Sequence, residues 1–161
     1  MMTDCSRIRK AVVDDAVPIT RIVTDAYTPY VDRIGRSPAP MGVDYHALVT
    51  QTDHVRVLAD VDGVAGVIVL VPEADHLLIE NVAVAPRAQG RGYGRSLLRY
   101  AEQQARLAGY GEARLYTNVA MVENLALYSR LGYVEVDRRH EDGFDRVYLA
   151  KSVPAPEPGN E

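Results

Sequence analysis

Gln89-Gly90-Arg91-Gly92-Tyr93-Gly94-Arg95 is the stretch of this 161-residue chain whose residue types and spacing most directly suggest chemistry. Glycines at 90, 92 and 94 leave the turn without Cβ atoms, so several backbone N–H groups can converge on one anion. A long amphipathic pattern opens immediately afterwards, which puts that cradle at the positive end of a helix dipole. The anion implied is a phosphate. Two familiar phosphate loops are excluded by spacing. A dinucleotide fingerprint would need a third glycine at position 95, where Arg95 stands, and a Walker loop needs Gly-Lys followed by Ser or Thr, which these glycines lack.

The elements that must hold this loop are legible on both sides of it. Before it, the run from His76 has period-two character through Val84 and is broken by Ala85-Pro86, which reads as a strand. Glu80 shares strand parity with Val82 and Val84, so its side chain leaves the same face. After the loop, Gly94, Leu97, Leu98, Ala101, Ala105 and Ala108 fall at helical spacing and form a narrow stripe of small residues able to sit close to a sheet, with Gly109 as the cap.

The rest of the chain supplies further elements. Ser6 to Val13 reads as a short strand, and Asp14-Asp15 offers an N-cap for a helix that Pro29 stops after Tyr27. From Thr28 to Asp44, three prolines and two glycines leave no usable periodicity, so a long surface loop or a broken helix is expected. Val43 to Thr50 suggests a second helix. His54 to Ala59 and Val64 to Val71 form a hairpin around Asp62-Gly63. Ala113 to Asn118 is a strand, Met121 to Leu131 a helix, and Tyr133 to Asp137 with Phe144 to Lys151 a closing antiparallel pair. Pro154 to Glu161 has no apolar content and reads as a frayed tail beyond a single domain of residues 1–153.

Composition narrows the class. Hydrophobic residues make up 47% and charged residues 25%, which fits a globular domain with a real core. A net charge of -4 gives no global drive toward nucleic acid or an anionic membrane, and neither is expected as a partner. The single cysteine, Cys5, cannot form an internal disulfide and suits a reducing compartment. No apolar run approaches the ~20 residues of a membrane span, and the opening MMTDCSRIRK lacks the apolar region of a signal peptide, so the expected location is the cytoplasm. His46, His54, His76 and His140 are dispersed without ligand spacing, and no metal is expected.

Gln89-x-x-Gly92-x-Gly94 resembles the pyrophosphate loop of the GNAT superfamily of acyl-CoA-dependent N-acetyltransferases. A second stretch extends the likeness: Glu123-Asn124-Leu125-Ala126-Leu127-Tyr128-Ser129-Arg130-Leu131-Gly132-Tyr133 resembles that family's late motif, and Asn124 falls 35 residues after Gln89. The order of elements is similar too, over nearly the whole chain. The resemblance implies an α/β fold with a central mixed, mostly antiparallel sheet of about six to seven strands flanked by four helices. It implies that the backbone from Gln89 through Gly90, Arg91, Gly92, Tyr93 and Gly94 to Arg95 holds the pyrophosphate of acetyl-CoA. The main chain around Val82, Ala83 and Val84 would pair with the pantetheine arm like another strand, Asn124 would hydrogen-bond that arm, and Tyr128 would serve the thioester sulfur. The resemblance also suggests a homodimer, paired through the last strands or the sheet edge.

The chemistry follows from the reactants. An alkylamine of pKa ~10.4 is more than ~99% charged at neutral pH, so a base or a pKa-lowering site must supply about 4–5 kcal/mol before it can attack a thioester. Glu80 is the best-placed carboxylate. The departing thiolate then needs a proton, and Tyr128, a phenol of pKa ~10, is the candidate donor. Taken by residue type alone, Tyr128 also fits a core aromatic with Asn124 as its i, i+4 neighbour, and Glu80 an exposed or salt-bridged strand residue. Tyr27, Tyr30, Asp44 and Tyr45 are the candidate acceptor-pocket residues. The competing reading is an acyl-CoA-binding module that has lost turnover, against which the presence of Tyr128 speaks.

Overall fold

The computed structural model describes residues 7–154; Cys5, the start of the expected first strand and residues 155–161 of the expected tail lie outside them. In chain order the elements are β1 (Ile8–Lys10), α1 (Ala16–Tyr27), the single turn α2 (Val31–Ile34), α3 (Tyr45–Gln51), β2 (Val55–Asp60), β3 (Gly63–Pro72), β4 (Leu77–Val84), α4 (Tyr93–Leu107), β5 (Glu112–Asn118), α5 (Val122–Arg130), β6 (Val134–Glu141) and β7 (Phe144–Ser152). The strands form one seven-stranded sheet in the order β1-β2-β3-β4-β5-β7-β6. The ladders β1–β2, β2–β3, β5–β7 and β6–β7 are antiparallel, whereas β4 and β5 run parallel. The chain falls into two compact units, one made by the chain up to Leu70 with Asn81–Tyr100, the other by Val71–Glu80 with the chain from Ala101 onward.

β4 passes from the second unit into the first, and its alternation organises both. Leu77, Ile79, Asn81 and Ala83 are buried, while Leu78, Glu80, Val82 and Val84 are half-buried. The period-two pattern therefore sets Glu80, Val82 and Val84 on one face, as expected. The β4–β5 ladder pairs Leu77–Ile79 with Ala113–Leu115 within the second unit.

In the first unit, Leu97 and Leu98 of α4 are buried, as are Ile19, Ile22 and Val23 of α1. Full burial of such a side chain is worth about 1.5–3 kcal/mol, which makes these helices' apolar faces the source of their stability. Gly66 permits the close approach: a Cβ there would lie 3.0 Å from Leu97 Cδ1 and 3.4 Å from the Ala83 carbonyl oxygen. In the second unit the stripe continues through Ala101 and Ala105 and ends there, since Ala108 is exposed. Gly109, at φ +87°, caps α4, with Tyr110 N–H donating to Ala105 O at 2.9 Å.

Two local expectations are corrected, the extent of the first strand and the side-chain cap of α1. The first strand is only Ile8–Lys10, because the chain turns at Val13–Asp15 into a short 3₁₀ segment. Asp15 stands at the N-cap of α1 but makes no side-chain cap; its carboxylate instead takes a two-pronged ion pair from Arg9, at 2.7 and 3.0 Å, and accepts from Val12 N–H. Of the two forms expected for residues 28–44, the structure has the broken helix, with a 3₁₀ turn at Thr28–Tyr30, then α2, then a 3₁₀ turn at Ala39–Gly42. Gly35, at φ +85°, ends α2. The final hairpin turns at Asp142 and Gly143, both at positive φ (55° and 82°), the geometry that Asp-Gly favours.

Candidate functional site

The glycine loop lies in the first unit. Pro86–Ala88 makes one 3₁₀ turn, Gln89 is extended, Gly90 and Gly92 stand at φ +84° and +82°, and α4 begins at Tyr93. Those two φ values require glycine; Gly94 has no such requirement, and a Cβ there would make only an ordinary 3.9 Å contact with Val84. A Cβ at Gly90 or Gly92 would meet nothing within 4 Å, so both open onto free space. Gln89 Nε2 donates to the Val84 carbonyl at 3.2 Å and ties the loop to the strand end. Ser96 donates to Gly92 O through N–H at 3.0 Å and Oγ at 3.1 Å, which closes the first turn of α4. Helix geometry leaves the N–H groups that open this turn without intrahelical acceptors, aimed out of the N-terminus with the positive end of the dipole. No acidic residue occupies that turn. The residues present thus fit a pyrophosphate: a cradle of amides, no Cβ in the way and arginines beside it.

The loop's side chains divide into two sets. Arg91 and Arg95 are exposed, whereas Tyr93 is only 6% exposed and turns its ring inward. Its hydroxyl accepts from Arg7 at 3.3 Å and donates to Asp60 at 3.3 Å. Asp60 also takes both guanidinium nitrogens of Arg87, and those hydrogen bonds hold this carboxyl below its ordinary range.

Also in the first unit, Tyr27 and Tyr45 meet on a residue that sequence reasoning passed over. Tyr27 OH donates to Asn81 Oδ1 at 2.7 Å, Asn81 Nδ2 donates to Tyr45 OH at 3.2 Å, and Tyr45 OH donates to the Pro40 carbonyl at 2.8 Å. The chain of donors ties α1, β4, α3 and the segment before α3 together. Tyr45 is 3% exposed, so it packs the segment from inside. Asp44 is the N-cap of α3, accepting from Ala47 N–H at 3.1 Å, and Tyr30 lies under the Arg33 guanidinium, 5.0 Å from the ring centre. The signal for Asn81 was present: in LLIENVAV it is the polar residue on the otherwise apolar parity.

The second unit carries Glu80, Asn124 and Tyr128. Glu80 projects from the half-buried face of β4, and its charge, after the larger effect of burial, helps raise the pKa of Tyr116 on β5; Arg146 opposes the rise. Arg146 stacks 4.6 Å from the centre of the Tyr116 ring, and Tyr116 and Tyr148 pack at 5.3 Å. Asn124 and Tyr128 are one turn apart on α5, so they share a face, with Asn124 half-buried and Tyr128 6% exposed. Tyr128 packs edge-on against Tyr133 at 6.2 Å, and Tyr133 donates to Glu102 at 2.9 Å, which with burial pushes its own pKa far up. The basic run at the last hairpin is matched by carboxylates: Arg138 pairs with Glu135, Arg139 with Asp137 and His140 with Asp145. Among the described residues no three His, Cys, Asp or Glu side chains gather to hold a metal ion, and no helix is long and apolar enough to cross a membrane.

Comparison with known proteins agrees with this geometry. A model of the acetyltransferase (GNAT) family matches residues 19–133, and the chain belongs to that family. Of solved structures, the PaiA N-acetyltransferase from Thermoplasma acidophilum in complex with coenzyme A superposes with a TM-score of 0.75 at 18% identity, covering 90% of this chain and 97% of that one. The ribosomal-protein-S18-alanine N-acetyltransferase from Escherichia coli gives 0.71 at 20%, covering 96% and 97%. Nourseothricin acetyltransferase gives 0.58 at 26% identity over 62% of this chain and 65% of that one. A search of curated proteins returned no match. The chain is therefore a member of the acetyltransferase (GNAT) family with the GNAT fold.

Proposed function

We propose that the protein transfers an acetyl group from acetyl-CoA to a primary amine by direct attack, with no covalent acyl-enzyme. The observation that carries this reading is the loop itself: Gly90 and Gly92 at positive φ, opening onto free space at the start of α4, with Arg91 and Arg95 exposed in the same stretch. The amides of Gln89 to Arg95 hold the pyrophosphate, and Arg91 adds charge. The β4 main chain at Val82–Val84 is the stretch that the resemblance pairs with the amides of the pantetheine arm. Asn124 is the polar side chain that the resemblance assigns to the same arm.

Glu80 takes the proton of the attacking ammonium, directly or through water, and Tyr128 returns one to the leaving thiolate. A backbone N–H near Val84 stabilises the oxyanion. Tyr27, Tyr30, Asp44 and Tyr45 shape the acceptor side, Tyr45 and Asp44 by fixing the segment that carries them. The similar structures include enzymes named for a protein alanine and for an antibiotic, so a primary amine is the coarsest acceptor class that spans them. The test is a thiol-release assay with acetyl-CoA against amines, polyamines, amino acids, aminoglycosides and a lysine peptide. Acceptor-dependent release supports transfer, and CoA binding with silence across an exhaustive panel opposes it.

A further inference from the structure

We propose that Asp60, the last residue of β2, is the positioning residue of the phosphate loop: one carboxylate holds the loop at its start, middle and end, so that the cradle is formed before CoA arrives. This rests on the acyl-CoA reading above. Arg87, just before the loop, donates Nη1 to Oδ2 at 3.1 Å and Nη2 to Oδ1 at 3.2 Å. Arg91, within it, brings Nη1 to 3.6 Å of Oδ2. Tyr93, where the helix begins, donates its hydroxyl to Oδ2 at 3.3 Å. The hairpin's own need of this carboxylate is a single bond, Asp62 N–H to Oδ1 at 2.9 Å.

The loop requires an outside anchor. Its two positive-φ glycines have more backbone freedom to lose than other residues, and fixing a residue costs about 1–2 kcal/mol. A loop left free would meet that cost at binding; a loop held from β2 meets it on folding, which leaves binding the tighter. An anion beneath a phosphate site is tolerable because the charges are arranged by depth. The Asp60 side chain is 3% exposed, whereas Arg87 and Arg91 are 39% and 51% exposed, so the carboxylate lies deeper than the guanidiniums that meet it. Arg87 is steadied further by the Val64 carbonyl at 3.3 Å.

Asp60→Asn separates positioning from a mere turn role, because Asn keeps an oxygen for the Asp62 amide and loses the charge that gathers the arginines. The experiment is calorimetric titration of the full chain with CoA and with pantetheine, which has the thiol arm and no phosphates. Asp60→Asn should weaken CoA about 10-fold, leave pantetheine unchanged, and Arg87→Met added to it should cost little more. Arg87→Met alone should give the same selective loss, and decides the matter if Asp60→Asn does not fold. Wild-type affinity for CoA in the variants, tighter binding, or equal loss of CoA and pantetheine overturns the role of Asp60. Wild-type protein that binds no CoA overturns the acyl-CoA reading itself, and the inference with it.

Discussion

A thiolate leaving a thioester must be protonated, and Tyr128 is the phenol on α5 that shares a helix face with Asn124. Its ring is fixed edge-on against Tyr133, so replacing it by Phe keeps the packing and removes only the hydroxyl. Tyr128→Phe should therefore lower kcat by ~10²-fold or more while the Kd for CoA stays put, a split that steady-state kinetics and calorimetry read directly; an unchanged kcat removes Tyr128 from the mechanism. Glu80→Gln should flatten the rise of kcat/KM with pH, and an intact profile would point to another base. The glycine loop and the Asn124–Tyr133 stretch were legible because each is a local pattern of residue types. Asp60 and Asn81 were not, for different reasons. Asp60 sits in Asp-Val-Asp-Gly, which reads fully as a turn, and its partners at 87, 91 and 93 are reached only through the fold. Asn81 broke the apolar parity of β4 in plain view, but its partners come from α1 and α3.

At the scale of elements, β4 lets one strand do two things. Its buried row binds it into the sheet, except at Asn81, where an amide holds the hydroxyls of Tyr27 and Tyr45. Asn81→Leu would fit the row and remove the two hydrogen bonds that the amide makes to Tyr27 and Tyr45, a loss of about 1 kcal/mol for each bond. The expected results are a lower Tm and faster proteolytic cutting within residues 28–44; cutting at the wild-type rate would show that the segment is held by something else. That segment was opaque in sequence because prolines and glycines erase periodicity. They do so here by dividing one helix into turns, as Pro29 and Gly35 show. Strand extents came out within a few residues, since alternation is local. The place of β7 between β5 and β6 was not legible, because pairing order depends on contacts distant in the chain.

At the scale of the molecule, two carboxylates tie separate elements through arginine: Asp15 to Arg9 and Asp60 to Arg87. Both carboxyls titrate below their ordinary range, each chiefly because of its arginine, whereas in the unfolded chain they return to about 3.9. A depressed folded pKa contributes stability that is present above the unfolded value and lost as pH falls through the folded one. The Tm should thus fall as pH drops below about 4, and Asp15→Asn should reduce that fall while lowering the Tm near neutrality. A thermal melt series across this range decides it: an acid slope identical in the variant means the Arg9 pair plays no part.

The measurement that bears most directly on the whole account is calorimetric titration with CoA, with NAD as the control, on the wild type and on Gly92→Val. Gly92 has φ +82° and opens onto free space, so a β-branched residue there both strains the turn and fills the cradle. The account predicts saturable CoA binding by the wild type, none of NAD, and loss of CoA binding in a Gly92→Val protein that still melts cooperatively. Undiminished CoA affinity in that variant would contradict it.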